Sequence, residues 1–254
     1  PALWAGLCQR SPVYPSGCTG SWVQSVAVLG RDLGARRMAC GYGRALPRVV
    51  LLDAHLTASA PRGVASYAGL DCLTHAVETA VTSCATAQSV EFSHLAFQLV
   101  SASFSESLNT GALDARRNML MAASLAGLAI EHSMLGAAHA LANPLTARLG
   151  LDHGRAVATV LPHVVRFNAQ VPEVAASYGK LCRVAGIEGG AEGLASRIEA
   201  WLEEAGVPRS LGAAGIVDAD LEPLAAAAAL EWTGGFNPRP VDPASLQGIL
   251  RSAL

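Results

Sequence analysis

Four residues of this chain have the types and spacing to do chemistry together: Asp71, His75, His139 and His153. Asp71 and His75 stand four apart in the apolar run Gly69-Leu70-Asp71-Cys72-Leu73-Thr74-His75-Ala76. Positions i and i+4 project from one face of a helix, so a carboxylate and an imidazole converge there. His139 and His153 frame a second segment, from His139-Ala140-Leu141-Ala142-Asn143-Pro144 to Gly150-Leu151-Asp152-His153-Gly154. One hard oxygen with three borderline nitrogens suits Fe2+, Zn2+, Mn2+ or Co2+ better than Ca2+ or Mg2+. Spacing alone leaves two readings open. An Asp-x3-His pair on a helix is commonly a capping or surface pair. Histidines in Ala- and Leu-rich segments, however, are buried polar groups that need partners, and a shared metal is one way to satisfy them.

The elements that must position these residues read mainly as helices. Residues 1–22 are irregular and rich in Pro, Gly, Ser and Cys. Val23–Leu29 and Arg48–Leu52 read as strands, the second ended by Asp53. The pattern then turns helical. Helices are expected from Pro61, as first helical residue, to about Thr82, over Ser89–Asn109, and from an Asp114 N-cap to about His132. Further helices follow over Gly136–Leu149, Gly154–Asn168, Pro172–Ala185, Gly190–Ala205, Asp218–Glu231 and Asp242–Leu254. The alanine run Ala225–Ala229 implies close helix packing. No Walker loop, H-E-x-x-H or G-x-G-x-x-G after a strand is visible.

Composition limits the partners. Apolar residues make up 51% of the 254 and charged residues 15%, so little surface is strongly solvated and a homo-oligomer, most simply a homodimer, would hide more of it. Lys+Arg 18 against Asp+Glu 20 gives net charge −2, which is no nucleic-acid footprint. The longest uncharged apolar run, Asn118–Ile130, is too short to cross a bilayer. The six cysteines (8, 18, 40, 72, 84, 182) contain no Cys-x-x-Cys, and reduced core thiols are expected.

Several segments resemble the iron-containing (group III) alcohol dehydrogenases, of the dehydroquinate synthase-like superfamily. Gly69–Glu78 resembles that family's metal-binding helix, and Asp114–Gly127 its next long helix. Leu135-Gly136-Ala137-Ala138-His139, Asp152-His153-Gly154 and Leu161–Asn168 resemble its second signature, and Asn237-Pro238-Arg239-Pro240 its closing motif. The resemblance runs from about Pro15 to Leu254. It implies an all-helical metal-binding domain over 55–254, preceded by a 1–54 remnant of the N-terminal α/β region. It also implies a cytoplasmic enzyme, a small-molecule substrate, and Asp71, His75, His139 and His153 as ligands of Fe2+ or Zn2+. His163 corresponds to a structural histidine.

The departures from the family pattern lie in the cofactor half. No Gly-rich pyrophosphate turn occurs in residues 1–14, so the nucleotide-binding domain is expected to be absent from this chain, and NAD(P) binding by the chain alone to be weak or lacking. The loop that would face the nicotinamide survives as Pro15-Ser16-Gly17-Cys18-Thr19-Gly20-Ser21-Trp22, with Thr19, Gly20 and Ser21 as its candidate cofactor contacts. Asn143 stands where many members carry a further histidine, and His132 where Asn is usual. Three functions follow. The first is metal-assisted oxidation of an alcohol or reduction of a carbonyl, with hydride exchange through NAD(P) if a nucleotide domain is supplied. The second is a non-redox metal enzyme (hydrolase, lyase, isomerase or cyclase) with His132 as general base. The third is a metal-retaining subunit without catalysis of its own.

Overall fold

The computed structural model describes residues 26–29, 38–41 and 49–254. Two short strands, β1 (Val26–Leu29) and β2 (Met38–Gly41), pair antiparallel with Val26 opposite Gly41. The loop at Thr19, Gly20 and Ser21 lies outside the described residues.

The strand expected at Arg48–Leu52 does not form over its described part, which has no regular structure. Val49 and Leu51 are exposed, and the described sheet joins β1 only to β2. An apolar run needs a neighbouring strand to become one. Asp53 instead caps a 3-10 turn at Ala54–Thr57, its carboxylate accepting from the His55 N–H at 2.9 Å.

From there the described chain is helical, as expected. Helix α1 (Arg62–Thr79) is buried on every side from Ala68 to Thr79, although one of its faces carries Asp71, His75 and Glu78. Leu70, Cys72, Leu73, Ala76 and Val77 are fully buried. The helix packs against α2 (Ala87–Asn109), α3 (Leu113–Glu131) and α5 (His153–Asn168). Helix α2 starts on a Thr86–Ser89 capping box and packs along α3, which offers the small residues Ala115, Ala122, Ala126 and Ala129. Asp114 is not the N-cap of α3. The helix begins one residue before it, and Asp114 sits in the first turn paired with Arg117 at 2.6 Å. There its charge still favours the positive end of the helix dipole.

Helix α4 (Ala137–Leu149) runs through Pro144 without breaking and ends at Gly150, whose φ of 69° is a left-handed cap. Helices α6 (Pro172–Val184) and α7 (Gly190–Glu204) follow, then α8 (Asp218–Ala228) and α9 (Pro243–Ser252). Trp201 of α7 meets Phe97 and Phe104 of α2 edge-on and fills the centre of the bundle. The alanine run behaves as expected: Ala225 and Ala228 are buried where α8 packs on α4 and α9. Cys72 and Cys182 are buried thiols and Cys84 a half-buried one, while Cys8, Cys18 and Cys40 lie outside the described side chains. No helix among the described residues is long and apolar enough to cross a membrane.

Candidate metal centre

Three helices bring the four sequence-predicted residues together. Asp71 and His75 come from the middle of α1, His139 from the first turn of α4, and His153 from the first residue of α5. The Asp71 Oδ1 atom lies 3.4 Å from His75 Nε2, 3.5 Å from His139 Nε2 and 3.8 Å from His153 Nε2. The His75 and His139 rings stack at 4.8 Å between centroids.

These spacings distinguish the two readings left open by the sequence. They are longer than a charge-assisted hydrogen bond, about 2.7–2.9 Å. Four donors placed tetrahedrally around one ion at about 2.0–2.2 Å stand about 3.3–3.6 Å from one another. The Asp71–imidazole separations fall at that distance or slightly beyond it. Asp71 Oδ1 and His139 Nε2 are moreover buried without a hydrogen-bond partner, which native interiors rarely tolerate unless something else occupies the polar atoms. The ligand atoms of Asp71, His75 and His139 all lie within 4.8 Å of one another. This donor set fits a divalent ion. The His153 side chain is 21% exposed against 5% for Asp71, so the open side of the cluster is the His153 side.

Two glycines make this geometry possible. A Cβ on Gly154 would stand 2.0 Å from the Tyr67 carbonyl oxygen, so α5 approaches α1 backbone to backbone beside His153. A Cβ on Gly136 would stand 2.9 Å from Asn237 Oδ1 and 3.1 Å from Glu78 Oε1. Those two side chains occupy the space at the N-terminus of α4, where no N-cap side chain bonds. Glu78 Oε1 accepts from the Ala138 N–H at 2.7 Å, and Asn237 Oδ1 accepts from the Ala137 N–H at 3.2 Å. Glu78 Oε2 lies 2.6 Å from His139 Nδ1, a contact buried on both sides. Asn237 is held in turn by Asn168, its Nδ2 donating to Asn168 Oδ1 at 2.7 Å.

Glu78 and Asn237 are absent from the sequence-predicted site. Glu78 left a readable signal, because positions 71, 75 and 78 follow the i, i+4, i+7 course of one helix face. Asn237 belonged to a noted motif, but only the folded chain shows what it touches.

Burial shapes the charges here. Burial alone would raise the Asp71 carboxyl, but the surrounding imidazoles of His75, His139 and His153 hold it well below the usual carboxylate range. Burial pushes the His75 imidazole down to about 4 despite the Asp71 charge. Burial also disfavours a charged His139, yet the carboxylates of Glu78 and Asp71 outweigh it and raise that ring to about 9.

The candidate catalytic residues are placed differently. Asn143 lies one helical turn after His139, on the same face of α4, and its amide donates to Glu231 Oε2 at 2.8 Å. His132 caps the C-terminus of α3, is solvent-exposed, and has its ring 5.9 Å from that of Phe92. The structure does not gather it into the cluster of buried ligand atoms. His163 is buried enough to lower its pKa and lies beyond the first turns of α5.

Known proteins resemble this chain in sequence and fold. The model of the Fe-containing alcohol dehydrogenase family, C-terminal, matches residues 65–254. Aldehyde-alcohol dehydrogenase 2 of Entamoeba histolytica is 35% identical over 162 residues, which is 64% of this chain and 18% of that protein. The 1,3-propanediol dehydrogenase of Klebsiella pneumoniae is 31% identical over 216 residues, 83% of this chain and 56% of that protein. The crystal structure of a 1,3-propanediol oxidoreductase superposes with a TM-score of 0.87 at 28% identity, covering 94% of this chain and 64% of the other. The chain thus spans less than two thirds of the length of each of these proteins.

Proposed function

The chain belongs to the Fe-containing alcohol dehydrogenase family, and on that premise we propose that it is the metal-binding part of an oxidoreductase acting on a small alcohol or carbonyl compound. In this reading residues 55–254 are the metal-binding domain, and Asp71, His75, His139 and His153 are the ligands of one divalent ion. Iron is the first candidate, and zinc, manganese and cobalt fit the same donor set. The observation that carries the reading is the convergence of three imidazole nitrogens on one carboxylate oxygen at 3.4–3.8 Å, with Asp71 Oδ1 and His139 Nε2 buried without a hydrogen-bond partner.

A bound ion would supply Lewis acidity toward an alcohol or carbonyl oxygen. The chain's own residues do the rest. Asp71 offers the anionic donor, and its charge is compensated by the histidines around it. The buried His75 and His139 close the inner wall, so substrate approaches from the side of His153. Asn143, steadied by Glu231, stands one turn from His139 and is proposed to orient the substrate's polar end. Hydride exchange requires a nicotinamide dinucleotide, and weak binding remains the expectation for these 254 residues alone. The dehydrogenase names of the relatives favour this redox reading over the non-redox alternative.

The test is metal dependence. Chelator-stripped protein, assayed with a nucleotide-binding domain supplied, should lose alcohol-dependent reduction of NAD(P)+ and regain it with Fe2+ or Zn2+. Undiminished turnover in protein shown by elemental analysis to be metal-free would sink the reading.

A further inference from the structure

We propose that Glu78 is a positioning residue for the metal centre: it holds the first turn of α4 and fixes which nitrogen of His139 faces the cluster. This inference rests on the reading of Asp71, His75, His139 and His153 as metal ligands.

Two donors point at one side chain. The Ala138 N–H bonds Glu78 Oε1 and the His139 Nδ1 edge meets Glu78 Oε2, at 2.7 and 2.6 Å. Both contacts are buried. An ionised carboxylate only accepts, so the ring must donate from Nδ1. Nε2 is thereby left to face Asp71, 3.5 Å away. The opposite tautomer would set a lone pair against a carboxylate and turn an N–H toward the ligands. Partners that fix the tautomer of a ligand histidine commonly alter metal affinity 10–100-fold.

The helix end explains why a carboxylate is needed. Helix α4 has no N-cap side chain of its own, so its first N–H groups depend on Glu78 and Asn237. A glutamine at position 78 has one acceptor and one donor. It can satisfy Ala138 and present an N–H to His139, or accept from His139 and present an N–H to Ala138. Either way one buried contact becomes donor against donor or forces the wrong tautomer. Only a group with two acceptor oxygens serves both. Glu78 lies on the same α1 face as Asp71 and His75, so one helix carries two ligands and the partner of a third.

Glu78→Gln and Glu78→Asp separate this role from general packing. Zn2+ affinity would be measured by competition with a chromophoric chelator, beside thermal melting of the metal-free forms. Glu78→Gln should fold yet bind Zn2+ 10–100-fold more weakly than the unaltered protein. Glu78→Asp is smaller but keeps two acceptors, and should bind more tightly than Glu78→Gln. If the unaltered protein takes up no metal, the ligand reading itself fails. If it binds and Glu78→Gln binds equally well, or better than Glu78→Asp, the positioning role is overturned. Should Glu78→Gln not fold, 15N NMR of the Zn2+-loaded unaltered protein decides: His139 must carry its proton on Nδ1, and a proton on Nε2 overturns the proposal.

Discussion

Gly154 and Tyr67 touch backbone to backbone: a methyl group at Gly154 would reach within 2.0 Å of the Tyr67 carbonyl oxygen. Tyr67 lies one helical turn before Asp71, and Gly154 follows His153. The glycine therefore sets how closely the histidine approaches the carboxylate.

Gly154→Ala should consequently act on stability and on the site together. Pushing α5 off α1 is overpacking of a buried contact, and a cost of about 1–3 kcal/mol or more is expected. Metal affinity should fall with it, because His153 is carried outward. Thermal melting and metal titration of the variant check both effects. Unchanged affinity would show that His153 does not depend on this contact.

The pH dependence of the metal-free chain follows from two histidines with opposite shifts. His75 has a folded value of about 4, below its usual 6.5, so the unfolded chain binds more protons between those values and stability falls as pH drops from 6.5 toward 4. His139 is raised to about 9, so its contribution is fully present below 6.5 and is lost as pH rises through 9. The depressed Asp71 carboxyl adds to the loss on the acid side. Melting temperatures in the presence of chelator should therefore peak near pH 6.5. A monotonic rise to pH 9 would contradict these assignments.

Metal uptake should release protons at neutral pH. His139 must give up its Nε2 proton to become a ligand, and a ring with a value of about 9 carries it at pH 7. About one proton per ion is expected from this ring, seen as buffer-dependent heats in calorimetry. Apparent affinity should rise with pH until about 9. Binding heats independent of the buffer would argue that His139 is already neutral.

Asn237→Ala removes an acceptor from the Ala137 N–H and a hydrogen-bond partner from Asn168, both buried. Unpaired buried groups cost about 1–3 kcal/mol each, so a clear loss of melting temperature is expected. Because the first turn of α4 carries His139, metal retention should weaken in parallel.

Much of this site is legible in the primary sequence, and the reason is local. Asp71 and His75 are set by one helix's periodicity, and the apolar context of α1 shows that both must be buried. His153 and Gly154 are adjacent, so the need for a glycine is written beside the histidine it serves. What sequence spacing does not carry are contacts between distant elements. Asn237 meets Ala137 across a hundred residues, and Glu78 meets His139 across sixty-one, through a side chain that reaches from α1 to the start of α4. The Asp114 cap and the Arg48–Leu52 strand misled for the opposite reason. Each has the right local chemistry, but the helix starts one residue earlier and the strand has no described neighbour.

Asp71, His75, His139 and His153 are proposed to hold one divalent ion. Elemental analysis of the purified chain beside His139→Ala, with X-ray absorption at the edge of the metal found, addresses it most directly. One ion per chain is expected in a shell of nitrogen and oxygen donors at about 2.0–2.2 Å, lost for the most part in the variant. Full occupancy in His139→Ala, or a sulfur-containing shell in the unaltered chain, would contradict it.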